Sequence, residues 1–369
     1  MQKPIILGYI SDGNPGWSAE DENFAKLTHI NYAFATLADR NGTVVERWSN
    51  INKLMKIKEK YPHIKTLFSI GGARAGNFTQ SAETEEGRKR ISKTAIEIMK
   101  KYKFDGIDLD WEFPCLSYKK PNLEGVDLDW EEAEQSRSYP GVYFHPDDKY
   151  NLTLLLEQIR TDLNELEKKD NCEYLLTIAT GPNDFYIDNC EIKKLGQILD
   201  FINVMTYDMC SSQMDYVTGH HTNIYNSSRT PHKKSGAYFM ELFMKHGVPA
   251  NKLVLGAAFY GLGSNGVENR GDGLTNRVYG VRTQYYNYTR IKTEILKEDS
   301  GFKAYWDDEA KAPYVFNGDT FITYENPESL KHKVEYVKEK GFLGVFFWEY
   351  PLDQTGELLD TIYNEVNKK

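Results

Sequence analysis

The chain has 369 residues, 40% of them hydrophobic and 13% aromatic, and a formal charge of -9. That acidity excludes a nucleic-acid partner, whose binding surface would be basic, and no apolar stretch reaches the roughly 20 residues needed to span a membrane. The apolar content is enough for one barrel-sized domain with an insertion.

Eight short apolar runs recur along the chain, at residues 5–10, 29–35, 65–70, 106–111, 175–179, 201–205, 253–259 and 344–347. Most are β-branched or aromatic and of strand length. Runs this continuously apolar suit strands of a parallel sheet covered on both faces. Amphipathic segments lie between them. Residues 83–101 put Ile91, Ala95, Ile98 and Met99 on one face, and residues 146–168 open on Pro146 and acids before taking a helical period. Residues 235–246 and 327–340 read the same way. Strands alternating with helices predict an α/β fold, a closed (β/α)8 TIM barrel. The alternative, an open doubly wound sheet, lacks its Gly-x-Gly-x-x-Gly turn after the first strand.

Two connections are long. Residues 260–325 hold turn signals at Gly271-Asp272-Gly273 and Asn317-Gly318-Asp319 and a short aromatic run at 321–324. They predict a small α+β insertion domain between strands seven and eight, spanning residues 261–325, with residues 1–260 and 326–369 forming the barrel. An aromatic stretch at 279–288 belongs to this insertion without a definite place. The other long connection, residues 114–146, is polar and acidic. The four cysteines, Cys115, Cys172, Cys190 and Cys210, form no CxxC pair, and their sparse spacing suggests buried thiols. The start, "MQKPIILGYI", lacks the zones of a signal peptide. Two compartments stay open: cytoplasmic or spore-associated, or secreted with a leader already removed.

A near-repeat singles out the chemistry. "FDGIDLDWEFP" at 104–114 is echoed by "EGVDLDWEEA" at 124–133. Alternate residues of a strand share a face, so Asp108, Asp110 and Glu112 form one row, with Ile107, Leu109 and Trp111 opposite, where they can pack against a helix. Carboxyls this close cannot all ionise, and they shift one another's pKa. Stability does not call for such a row inside a barrel, so it marks a site. The second copy repeats the spacing at Asp127, Asp129 and Glu131. It runs into an acidic stretch, and the linker before it holds Pro114 and Pro121 and no helical period. Adjacent parallel strands need a crossover, usually helical. The second copy therefore reads as a loop, and Glu112 is preferred over Glu131.

These residues resemble family 18 glycoside hydrolases, the chitinases and their relatives. Asp105, Asp108, Asp110 and Glu112 complete the DxxDxDxE signature of that family. "SIGG" at 69–72 resembles its strand-three motif, "MTYD" at 205–208 its strand-six motif, and "FFWEYPLD" at 346–353 its strand-eight end. "GYI" at 8–10 and "NYAFA" at 31–35 resemble strands one and two, and residues 301–329 resemble the insertion domain of deep-cleft members. Two departures stand out. Leu262 occupies a place where many relatives carry arginine, and the doubled "DLDWE" is unusual.

The resemblance implies substrate-assisted retaining hydrolysis of β-1,4-linked N-acetylglucosamine, with chitin or chitooligosaccharides as partner and an oxazolinium intermediate. It makes Glu112 the general acid and base. Asp110 would hold the acetamide N–H, Asp108 would share a proton with Asp110, and Tyr207 would hold the acetamide carbonyl. Trp348 would be the platform under the sugar. Met205, Asp208, Tyr9, Phe34 and Tyr260 would line the cleft, and Gly71, Gly72 and Trp111 are counted with the substrate-binding set. No metal and no cofactor is implied, and the eight histidines, His220-His221 among them, show no ligand spacing. A monomer is expected. The alternatives are an endo-β-N-acetylglucosaminidase or peptidoglycan hydrolase of the same family, or a chitin-binding lectin. The lectins typically lose the acid glutamate, and Glu112 is present.

Overall fold

The alternation of strand and helix closes on itself in space. The structure, a computed structural model, describes residues 3–115, 134–135, 142–210, 216–230, 234–281 and 283–368. The barrel strands, in chain order, are Ile5–Ser11, His29–Leu37, Lys65–Gly71, Gly106–Asp110, Leu175–Thr180, Phe201–Val204, Leu253–Ala258 and Gly344–Trp348. Each pairs in parallel with the next, and the eighth pairs with the first, so the sheet has no open edge. All eight expected runs are strands of this barrel.

Both faces of each strand are buried, which is why the runs are apolar throughout. In the first strand Ile5, Leu7 and Tyr9 face the barrel interior, while Ile6 and Ile10 join the core between strands and helices. In the seventh, Val254 and Ala258 point in, and Leu253, Leu255 and Ala257 point out. Helix Glu85–Lys101 buries Ile91, Ala95, Ile98 and Met99, the stripe its sequence defines. Thr84 caps its start by accepting the Gly87 N–H, and Lys100 and Lys101 sit at its negative end. Helix Pro327–Lys340 opens on a capping box between Asn326 and Ser329 and stops at Gly341, in the left-handed region at φ +69°. Helices Asp148–Asp170 and Gly236–Lys245 fill the other two expected places. No described helix is long and apolar enough to cross a membrane.

The seventh strand ends at Ala258, one residue short of its run, and the chain breaks direction at Phe259, whose ring stacks on Phe347 at 4.0 Å and whose N–H donates to the Trp348 carbonyl at 2.8 Å. The chain then enters a second sheet. Its five antiparallel strands run in the order Gln284–Asn287, Tyr260–Ser264, Phe321–Thr323, Ala312–Phe316 and Lys303–Asp307. This sheet has a small core of its own, built on Val267, Leu274, Val278, Tyr314, Phe316 and Phe321. The cysteine expectation holds in part: Cys115, Cys190 and Cys210 are buried, but Cys172 is exposed, because it follows the end of a helix at a surface turn. Asp127, Asp129 and Glu131 of the second copy lie outside the described residues.

Candidate active site

The carboxyl row runs up the fourth strand to its C-terminal end, where barrel loops gather. Asp105, just before the strand and not part of the row, accepts the Thr66 N–H at 2.8 Å and Lys58 Nζ at 2.7 Å. Asp108 is wholly enclosed. Tyr9 Oη and Ser69 Oγ both donate to its Oδ2 at 2.7 Å, and Thr177 Oγ1 at 2.6 Å and Asn203 Nδ2 at 3.4 Å donate to its Oδ1. These donors come from the first, third, fifth and sixth strands. Burial raises the Asp108 pKa and the donors oppose the rise.

Above it, burial pushes Asp110 well up, and the charges of Glu112 and Asp108 push the same way. Its Oδ1 is buried without a hydrogen-bond partner among the described residues. Burial and then the Asp208 charge push the Glu112 pKa up to about 7, against a downward pull from Asp110. The interaction raises Asp110 and lowers Glu112, so the two carboxyls titrate as a linked pair.

Around the row is a cleft of about 240 Å³. Asp110, Glu112 and Tyr207 line it, as do Trp348, Met205 and Asp208. Tyr9, Phe34 and Tyr260 complete the expected lining. Trp348, at the end of the eighth strand, stacks on Phe34 at 5.6 Å with 19° between planes and meets Tyr9 at 5.7 Å. Next to it, buried Glu349 ties the eighth strand to the first, accepting the Ser11 N–H at 2.8 Å and Ser11 Oγ at 2.6 Å. Tyr207 is wedged edge-on between Tyr260 at 6.2 Å and Phe346 at 5.9 Å. Burial, then the Asp110 and Glu112 charges, hold its hydroxyl well above the usual tyrosine range. Asp208 sits at φ +54° and accepts the Tyr260 hydroxyl at 2.7 Å.

Four expected residues fall elsewhere. Asp108 lies beneath the cleft and reaches it only through its neighbours. Trp111 is on the opposite face of the row and stacks on Phe78 at 5.2 Å with 13° between planes, 4% exposed. It packs the barrel's outer layer, as strand alternation requires, and does not line the cleft. Gly71 and Gly72 act through space. A Cβ on Gly71 would sit 1.9 Å from the Asp110 carbonyl oxygen, and one on Gly72 would sit 2.7 Å from the Phe34 ring. Both have φ in the left-handed region, at +126° and +91°. Gly71→Ala is therefore expected to cost about 3 kcal/mol or more of stability, read as a lower denaturant midpoint with unchanged slope. An unshifted midpoint would contradict this close approach.

Ala73, Ala179 and Tyr285 also line the cleft. The alanines carry no chemical signal in the sequence. Tyr285 lies in the aromatic stretch 279–288, and its ring meets Tyr260 at 5.4 Å.

A row of buried carboxyls with raised pKa values, opening into an aromatic cleft at the C-terminal mouth of a barrel, is the setting of an enzyme active site. Residues 6–120 and 115–353 match the glycosyl hydrolases family 18, and the chain belongs to that family. It is 31% identical over 424 residues to Chitinase A1 of Niallia circulans, matching 96% of this chain and 57% of that protein. The chain thus spans little more than half the length of that relative. Among solved structures, a family 18 N-acetylglucosaminidase from Paenibacillus barengoltzii superposes with a TM-score of 0.87 at 37% identity, over 98% of this chain and 99% of that one. A class V chitinase from Nicotiana tobaccum superposes with a TM-score of 0.83 at 25% identity, over 99% of both chains.

Proposed function

We propose that this chain is a chitinase, cleaving β-1,4-linked N-acetylglucosamine chains by substrate-assisted retaining hydrolysis. The observation that carries the reading is the cleft at the barrel mouth, where Asp110 and Glu112 stand together with Tyr207 and Trp348. A two-carboxylate retaining pair stands about 5–5.5 Å apart and an inverting pair about 6.5–9.5 Å apart. Asp110 and Glu112, two residues apart on one strand face and acting on each other's pKa, are read here as a pair working with the substrate's own acetamide as nucleophile.

In this reading protonated Glu112 gives its proton to the glycosidic oxygen as the C1–O bond breaks. The acetamide carbonyl oxygen bonds to C1 from the other face, forming an oxazolinium ion. Asp110, with its unpartnered buried Oδ1, accepts the acetamide N–H and balances the positive charge. The Tyr207 hydroxyl holds the acetamide carbonyl, and Asp108 supports the Asp110 charge state from beneath. Glu112, now a carboxylate, takes a proton from water as that oxygen attacks C1, which reopens the acetamide and restores the acid. The Trp348 ring, backed by Phe34, offers a flat apolar face to the sugar's C–H groups. The second sheet, residues 261–325, acts as an insertion domain walling the cleft beside the barrel of residues 1–260 and 326–369, and the protein works as a monomer.

Since the acid form of Glu112 is required, kcat/KM is expected to fall roughly tenfold per pH unit above about 7. A rate that held level to two units above that point would remove Glu112 as the acid. A second reading, stepwise release of N-acetylglucosamine from chain ends, is favoured by the likeness to the Paenibacillus barengoltzii N-acetylglucosaminidase. Chromatography of the products from a chitohexaose digest separates the two. Internal products from the earliest time points support the chitinase, monomer alone supports end-wise release, and binding without products supports a lectin.

A further inference from the structure

Behind the strand wall lies a buried ion pair that the proposed chemistry does not use. Lys333, on helix Pro327–Lys340, meets Glu325, and both side chains are 1% exposed. Such a pair usually adds little stability over apolar residues of the same size, because desolvation offsets the attraction. Its hydrogen bonds, however, converge on one short piece of backbone.

Lys333 Nζ donates to the Gly256 carbonyl at 3.2 Å and to Thr222 Oγ1 at 2.8 Å. Thr222 Oγ1 lies 2.8 Å from Glu325 Oε1 and 3.3 Å from the Thr206 carbonyl, and can donate to either. Thr206 Oγ1 donates to that same Gly256 carbonyl at 2.6 Å. Ser329 Oγ holds the other oxygen of Glu325 at 2.5 Å. Thr206 is the residue before Tyr207. Gly256 lies directly against them: a Cβ there would stand 2.8 Å from the Thr206 nitrogen and 3.0 Å from Tyr207 Cε1. The polar cluster thus grips both the peptide that carries Tyr207 and the strand its ring leans on.

We infer that Lys333 and Glu325, acting through Thr222, are positioning residues for Tyr207, and that they set where its hydroxyl stands over the carboxyl row. The inference rests on the role proposed for Tyr207. It requires that loosening the cluster slow the chemical step while leaving substrate binding nearly intact, and that the effect vanish once the hydroxyl is gone.

The test is a double-mutant cycle on chitooligosaccharide hydrolysis. Thr222→Val keeps both charges and removes one hydroxyl, so it is expected to fold. Its kcat should drop roughly tenfold with KM within about twofold, a misplacement smaller than the 1 Å that can cost about 10²-fold. Thr222→Ser, which restores the hydroxyl, should stay within about twofold of the unaltered protein. In a Tyr207→Phe background Thr222→Val should change kcat by less than about twofold. The paired replacement Lys333→Met with Glu325→Gln, which leaves no charge unpaired, should follow the same pattern. Equal losses in both backgrounds, or a rise in KM with kcat intact, would overturn the inference and leave a packing role. If the unaltered protein released no product from chitooligosaccharides, the function proposed above would fall and take this inference with it.

Discussion

Glu112→Gln is expected to lose at least about 10²–10⁴-fold in kcat on a fluorogenic di-N-acetylchitobioside, while Glu131→Gln stays near the unaltered rate. The change keeps the size of the side chain and its place above Asp110 but removes the transferable proton. Burial and the Asp208 charge keep that proton on Glu112 up to about pH 7, so the acid form is present under ordinary assay conditions. The amide can neither protonate the leaving oxygen nor take a proton from water, so both halves of the reaction suffer. Folding should not: replacing a buried ionisable group by a neutral one of the same shape removes a desolvation cost. An unchanged or higher Tm with lost activity is the expected pair of readings. If Glu131→Gln were the inactive variant, the second copy of the motif would carry the chemistry.

Asp110→Asn should cost about 10²–10³-fold in kcat, the range seen when one preorganised partner of a developing charge is removed. Among the described residues Asp110 is the only member of the row with an unpartnered buried oxygen, and in the proposed mechanism it faces the oxazolinium ion. An asparagine can still accept an N–H bond through its amide oxygen, so substrate should bind, and KM should move much less than kcat. Steady-state kinetics with single-turnover measurement of the first bond cleavage reads this directly. A large rise in KM at constant kcat would instead make Asp110 a uniform binding contact, and the charge-stabilising role would be lost.

The barrel was legible because its strands are buried on both faces and its helices on one. Those two burial patterns write continuous apolar runs and a helical stripe such as Ile91, Ala95, Ile98 and Met99 into the order of residues. The carboxyl row was legible for the same local reason: strand alternation alone puts Asp108, Asp110 and Glu112 on one face and Trp111 on the other. Counting Trp111 with the sugar contacts followed the motif instead of that geometry, and the Phe78 stack corrects it.

What the sequence by itself determined was thus the set of elements, their alternation and the face on which the acids stand, since each depends on residues only a few positions apart. Only the tertiary structure decided what surrounds those acids. The donors to Asp108 come from 39 to 99 residues away along the chain, at Ser69, Thr177, Asn203 and Tyr9. The break at Phe259, the arrival of Tyr285 beside Tyr260 and the burial of Lys333 against Gly256 likewise depend on strands and helices distant in sequence. No local pattern specifies such contacts. They exist because closing the barrel brings the ends of separate strands to one mouth, and burial there makes most polar groups find partners that the chain's order does not name.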